Sequence, residues 1–315
     1  MLKQLICSTA ISLLAFSSLQ ASMGVYVGEL QELWQFPSDH LPIGMTYEGL
    51  HIASWNVLNS HYVGWIEKNG QGLARSSITQ AHKYIEESNL TLRDVYVIQS
   101  IQAMLDHDSH PRSIITLQEC SPAFITELER VLPACYVLIL SAPLSEKDQN
   151  IVIYDSRVLY YDTEKSEIVS GVFTQDNREL MKLVFSLHDK EESTFTLINT
   201  HLPGAPSNPA PFELARYLCA QNGTILAMGD MNFNEEIMQD AMSQALQEKQ
   251  QYTLLAPYCT NISPDNLFSK SIDHFIVISP QEKKYIANSA NEVLPSLDHM
   301  VELLHFPRAL VGVAK

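Results

Sequence analysis

Residues 224–232 read Thr224-Ile225-Leu226-Ala227-Met228-Gly229-Asp230-Met231-Asn232. A short apolar run, β-branched at its start, stops at a glycine, and a carboxylate and an amide follow at once. That length and composition favour a buried strand over a helix. A strand that buries its body and carries Asp or Asn at its end offers those groups to a site on a rigid scaffold. The plainer reading makes Asp230 a cap for a helix expected from residue 235.

The same grammar recurs along the chain. Short apolar runs lie at residues 50–55, 113–117, 135–140, 151–154, 182–185, 195–198 and 272–278. Several end in polar groups: Trp55-Asn56, Leu117-Gln118-Glu119 and Asn199-Thr200-His201. Between them, residues 93–106 carry Val97, Ile98, Ile101, Met104 and Leu105 at helical spacing. Residues 121–132, 211–221 and 235–249 are further helix candidates, the first two opening with a cap residue or an early proline. Many strands with fewer helices predict an α/β (α+β) sandwich, sheets inside and helices outside. No repeat, low-complexity tract or linker divides residues 23–315, which read as one domain.

Composition narrows the classes. Hydrophobic residues make up 46% of the 315 and charged residues 18%, an ordinary globular balance. The formal net charge of -16 speaks against a protein that coats nucleic acid non-specifically. It leaves a nuclease open, because a bound cation supplies local positive charge. Residues 1–21 read as a secretory signal: Lys3 is the basic start, residues 5–16 the apolar stretch, and Leu19-Gln20-Ala21 a cleavage site. No later segment is long and apolar enough to span a bilayer, so the expectation is a secreted or periplasmic protein without an integral membrane segment. Cys7 falls inside the signal; Cys120, Cys135, Cys219 and Cys259 permit two disulfides in three connectivities, or free thiols.

Taken singly, Asn56, Glu119, His201 and Asp230 each have a bland explanation as caps, solvated strand ends or loop residues. Their joint pattern resembles the endonuclease/exonuclease/phosphatase superfamily, to which deoxyribonuclease I belongs. The matching blocks, in family order, are Ser54-Trp55-Asn56-Val57-Leu58, Leu117-Gln118-Glu119, Asn199-Thr200-His201-Leu202, Gly229-Asp230-Met231-Asn232 and Ile272-Asp273-His274-Phe275-Ile276-Val277. Asp155-Ser156-Arg157 is also similar to the family. The resemblance covers roughly residues 50–300 and implies a four-layered sandwich of two packed, mostly antiparallel sheets flanked by helices. It implies a Mg²⁺-dependent phosphoric ester hydrolase, with Mn²⁺ as a substitute. Glu119 resembles the principal metal carboxylate, assisted by Asn56. Asp230 and Asn232 resemble the pair that positions the attacking water and the phosphate, and His201 the group that hydrogen-bonds phosphoryl oxygens. A phosphodiesterase acting on nucleic acid is the first substrate expectation, and a phospholipid (sphingomyelin) or inositide the second. The rival from another class is a non-catalytic binding protein on the same scaffold. Oligomeric state is left open.

The family pattern closes with an Asp-His pair, and two are present. Asp298-His299 lies at the usual place, but Leu297 splits its triplet; Ser38-Asp39-His40 is uninterrupted, yet precedes the first strand. A hairpin of residues 43–47 and 50–55 around Glu48-Gly49, with Tyr47 paired to Leu50, sets His40 opposite Val57, at the same sheet end as Asn56. The favoured expectation is therefore a circularly permuted edge: His40 paired to Asp273, with Asp39 near the metal. Asp298 and His299 are the alternative. Residues 203–211 form a proline-rich loop suited to a substrate mouth, Arg75 and Arg216 are candidate phosphate contacts, and Trp55 and Trp65 are expected in or near the core.

Overall fold

The alternation of side chains along each strand decides which residues line the core and which line the site. In the computed structural model, residues 38–40, 42–64, 90–106, 111–143, 148–204, 208–246, 250–256 and 271–280 are described, without the side chains of 190–192 and 250. The signal-like residues 1–21, Trp65, Arg75, Cys259, Asp298 and His299 lie outside them, as do residues 205–207 of the proline-rich loop. The first sheet has five strands: β1 (Ile43–Tyr47), β2 (Leu50–Asn56), β3 (Ile114–Cys120), β4 (Tyr136–Leu140) and β5 (Gln149–Asp155), in the order β1-β2-β3-β5-β4. The second has six: β6 (Leu159–Val169), β7 (Leu180–Leu187), β8 (Lys190–His201), β9 (Thr224–Asp230), β10 (Gln250–Leu255) and β11 (Asp273–Pro280), in the order β10-β11-β9-β8-β7-β6. Both sheets are mixed, with one parallel pair each, β2 with β3 and β8 with β9.

One apolar layer lies between the sheets: Leu50, Ile52, Ile114, Val152, Phe185, Leu197, Leu226, Met228 and Phe275 meet there from both sides. The alternate residues of the same strands face outward. Ala53, Trp55, Ile115 and Leu117 pack under α1 (Leu92–Leu105) and α2 (Pro122–Val131). Ile198, Ile225, Ala227, Ile276 and Ile278 pack under α3 (Ala210–Cys219) and α4 (Glu235–Ala245). The layers are thus helix, sheet, sheet, helix, the expected sandwich. α1 opens on a capping box in which Thr91 and Asp94 satisfy each other's backbone N–H groups. Asn234, not Asp230, caps α4, accepting from Ile237 N. Trp55 is buried, and its Nε1 donates to His40 O at 2.9 Å.

Three details differ from the sequence reading or complete it. The register of the first hairpin pairs Tyr47 with Leu50 and Ile43 with Ser54, as the Glu48-Gly49 turn required. β6 and β10 escaped the apolar-run reading because, among the described residues, they are the two edges of the six-stranded sheet; β6 leaves most of its side chains exposed or half-buried, so it needs no apolar run. The last helix stops at Ala245 and not at 249, and β10 begins at Gln250. Among the described residues Cys120, Cys135 and Cys219 are free thiols. No helix among them is long and apolar enough to cross a membrane.

Candidate active site

At one end of the sandwich the inward-facing positions change from apolar to polar without changing face. On β9, Leu226 and Met228 face the core, and the next residue of that parity is Asp230. On β8 Leu197 is followed by Asn199 and His201, on β2 Ile52 by Ser54 and Asn56, and on β11 Phe275 is preceded by Asp273. Register then lines them up across the second sheet, with Asp273 opposite Asp230 and His201 beside Asp230.

Glu119 breaks the rule. Its parity on β3 points outward, with Ile115 and Leu117. The ladder to β5 shifts register between Leu117 and Cys120, and Glu119 takes a positive φ of 59°. This bulge turns the carboxylate from the helix side to the site. Burial pushes its pKa up to about 7, with the Asp39 charge adding to the effect and the Asn56 hydrogen bond opposing it.

Asn56 ties the two sheets together at the centre. Its Nδ2 donates to Glu119 Oε1 at 2.9 Å and to Asp230 Oδ2 at 3.0 Å, while its Oδ1 accepts from Leu58 N. Asp230 is buried, and its Oδ1 accepts from Asn232 N at 2.8 Å. Burial, helped by Asp273, raises its pKa to about 6 against the opposing pull of His40 and Asn56. Asn232 sits at φ 55°, and its Nδ2 donates to Leu202 O. Gly229 is a steric requirement: a Cβ there would lie 1.9 Å from Thr200 O on the paired strand.

The two histidines have opposite electrostatics. His201 Nε2 lies 3.4 Å from Asp230 Oδ2 and 3.6 Å from Glu119 Oε1. Burial, with the charges of Arg178 and His40, holds its pKa well below the imidazole norm, so it is neutral. His40 Nδ1 lies 2.9 Å from Asp273 Oδ2, and its Nε2 lies 3.5 Å from Asp230 Oδ2. Burial would lower its pKa, but Asp273, Asp230 and Asp39 outweigh that and hold it well above the norm. Ser38 Oγ donates to Asn56 O at 2.7 Å, fastening this segment to the end of β2. Asp39 acts on both Glu119 and His40 through its charge, but its carboxylate is not part of the compact Glu119, His201 and Asp230 group.

D. rerio TDP2 in complex with a single-strand DNA product matches this structure with a TM-score of 0.51 at 14% identity, over 75% of this chain and 86% of that one. The chain has the endonuclease/exonuclease/phosphatase fold. An endonuclease/exonuclease/phosphatase family protein from Bacteroides thetaiotaomicron also matches, with a TM-score of 0.48 at 17% identity over 76% of this chain and 82% of that one. A mannosyl-6-phosphatase from the same organism matches with a TM-score of 0.48 at 17% identity, over 74% and 86%. No protein-family model and no curated protein sequence matches the chain.

The resemblance read from the sequence implies a divalent cation, and the donor set suits a hard one. Glu119 and Asp230 bring carboxylate oxygens to one place, Asp39 adds its charge from outside that group, and no thiol among the described residues belongs to it; oxygen donors of this kind are what Mg²⁺ takes. Ligand atoms of Glu119, His201 and Asp230 lie within 4.8 Å of one another. The His40, Asp230 and Asp273 group is equally compact, but its histidine already pairs with Asp273. Asn56 turns its Nδ2 to the carboxylates, so a ligand role requires the amide to turn and release Leu58.

Arg178 was not legible in the sequence. It lies between β6 and β7, and its Nη1 donates to Leu202 O at 2.8 Å and to His201 O at 3.3 Å. It lines a cleft of about 630 Å³ that reaches His201. Arg216, the helix arginine noted from sequence, is exposed on α3.

Proposed function

We propose that the protein is a divalent-cation-dependent phosphoesterase. The observation that carries this reading is the convergence of Glu119, Asn56, His201 and Asp230 within 3.6 Å contacts, although up to 174 residues separate them in sequence. Glu119 and Asp39, with Asn56 alongside, are the groups that would hold Mg²⁺, with Mn²⁺ as a substitute. A cation held there would supply Lewis-acid chemistry, polarising a phosphoryl oxygen and offsetting the charge that develops on it.

The chain's own groups divide the remaining work. The Asp230 carboxyl titrates near 6, which suits it to take a proton from water at neutral pH. Asn232 N–H fixes Asp230 Oδ1, leaving Oδ2 toward the histidines and Asn56. Neutral His201 donates an N–H to a phosphoryl oxygen. The His40 imidazolium, held by Asp273, supplies positive charge where the pentacovalent phosphorus gains negative charge. As the water oxygen bonds to phosphorus, the P–O bond to the alcohol breaks and the alcohol oxygen leaves to be protonated.

Hydrolysis of bis(p-nitrophenyl) phosphate with Mg²⁺ tests the reading. Chelation is expected to abolish turnover, and Glu119→Gln to lower kcat by about 10²–10³. No turnover of any phosphoester with Mg²⁺ or Mn²⁺ would favour the non-catalytic binding protein. These groups touch only the phosphoryl centre, so a choice among nucleic acid, phospholipid and inositide lies with what surrounds it. Residues 1–21 are proposed as an export signal on their composition; N-terminal sequencing of the exported chain checks that.

A further inference from the structure

The cleft beside His201 is lined by groups the phosphoryl chemistry does not use. Asp148, Asp176 and Glu179 face it with one guanidinium, Arg178, and two amides, Asn150 and Asn177. Among the described lining residues three carboxylates stand against one guanidinium, which makes that lining acidic. Arg178 spends Nη1 on the carbonyls of His201 and Leu202, so part of its fork serves the backbone.

Asp148 accepts from the Tyr62 hydroxyl at 3.0 Å. That bond holds the Tyr62 ring, 38% exposed, beside a cleft wall, on the short 3₁₀ turn Ser60–Tyr62 that follows β2. The His61 ring packs edge-on against it. The surroundings thus combine fixed hydrogen-bond acceptors, planar amides, half a guanidinium fork and an aromatic edge.

A second phosphate placed in this cleft would meet carboxylates at short range in a protein of formal charge -16, which costs affinity. Hydroxyl groups find the opposite: carboxylates accept from O–H, and amides and Arg178 donate to the hydroxyl oxygen. We infer that the substrate carries a single phosphoryl group, seated at His201, on an uncharged body rich in hydroxyls that fills the cleft, in the manner of a sugar or polyol phosphate. This rests on the phosphoesterase reading and sharpens it against a polynucleotide or a polyphosphorylated inositide.

Release of alcohol from a hexose 6-phosphate, inositol 1,4,5-trisphosphate, a short single-stranded oligonucleotide and phosphocholine, all with Mg²⁺, tests the inference. The hexose ester is expected to show a kcat/KM at least about tenfold above each of the others. Asp176→Asn should raise KM for the hexose ester and lower it for the trisphosphate, narrowing the gap from both sides. Better turnover of the oligonucleotide or the trisphosphate overturns the inference, and better turnover of phosphocholine shows that the carboxylates serve a cation instead. If nothing is turned over, the phosphoesterase reading fails, and calorimetric binding of the hexose ester and the trisphosphate still decides the cleft. Tighter hexose binding, weakened by Asp176→Asn, supports the inference; tighter trisphosphate binding sinks it.

Discussion

His40 reaches the site before the first strand has begun, held by contacts on both sides of it. Ser38 Oγ bonds the carbonyl of Asn56, and the Trp55 indole bonds the carbonyl of His40 itself. Both anchors belong to β2, so the segment takes its position from the strand that also carries Asn56. We expect His40→Ala to lower kcat by about 10²–10⁴ while His299→Ala stays near wild type. Loss of activity in the His299 variant alone would discard the permuted edge. This placement was legible because a two-residue turn fixes a register, and a register fixes which residues face each other. The turn of Glu119 into the site was not legible: strand parity points it outward, and only the bulge with its left-handed backbone reverses that. Arg178 was equally silent, since a lone arginine in a loop carries no spacing to read.

Between the sheets, one buried pair of amides does for the elements what the anchors do for His40. Gln118 Nε2 on β3 donates to Asn199 Oδ1 on β8 at 2.8 Å, and Asn199 Nδ2 returns to the carbonyls of Leu117 and Ile151. Each amide stands within two residues of a proposed site group, Glu119 and His201. Gln118→Leu leaves the Asn199 oxygen buried without this donor and should cost about 1–3 kcal/mol in denaturant unfolding, with a fall in kcat. Adding Asn199→Leu should cost less than the two single losses combined; strict additivity would mean that the pair is not a unit. At this scale the central strands were legible from their apolar bodies and polar tips. The edges β6 and β10 were not, because a strand with one open flank can alternate with charged residues and leave no apolar run.

The whole molecule carries its polar end as a concentration of like charge, and its response to pH follows. Glu119 rises to about 7 from an ordinary value of 4.5, so the stability its protonated form contributes is complete below 4.5 and lost as pH rises through about 7. Asp230 acts alike between 3.8 and about 6, and His40, raised above 6.5, adds a loss at still higher pH. His201 runs the other way, its lowered pKa giving stability above 6.5 that is lost as pH falls. With chelator present, Tm should fall from about pH 6 to about pH 8, and Glu119→Gln should flatten that fall. Mg²⁺ competes with protons for Glu119, so the rise in Tm that it produces should be larger at the alkaline end. A Tm in chelator that climbs across this interval would contradict the assignment, and circular dichroism melts measure it. One consequence concerns synthesis. His40 and Asp273 are partners 233 residues apart, one leaving the ribosome early and the other late. A polypeptide interrupted anywhere between them holds only half of that couple, so the proposed chemistry must wait until β11 has been made, and truncated by-products are expected to be inert.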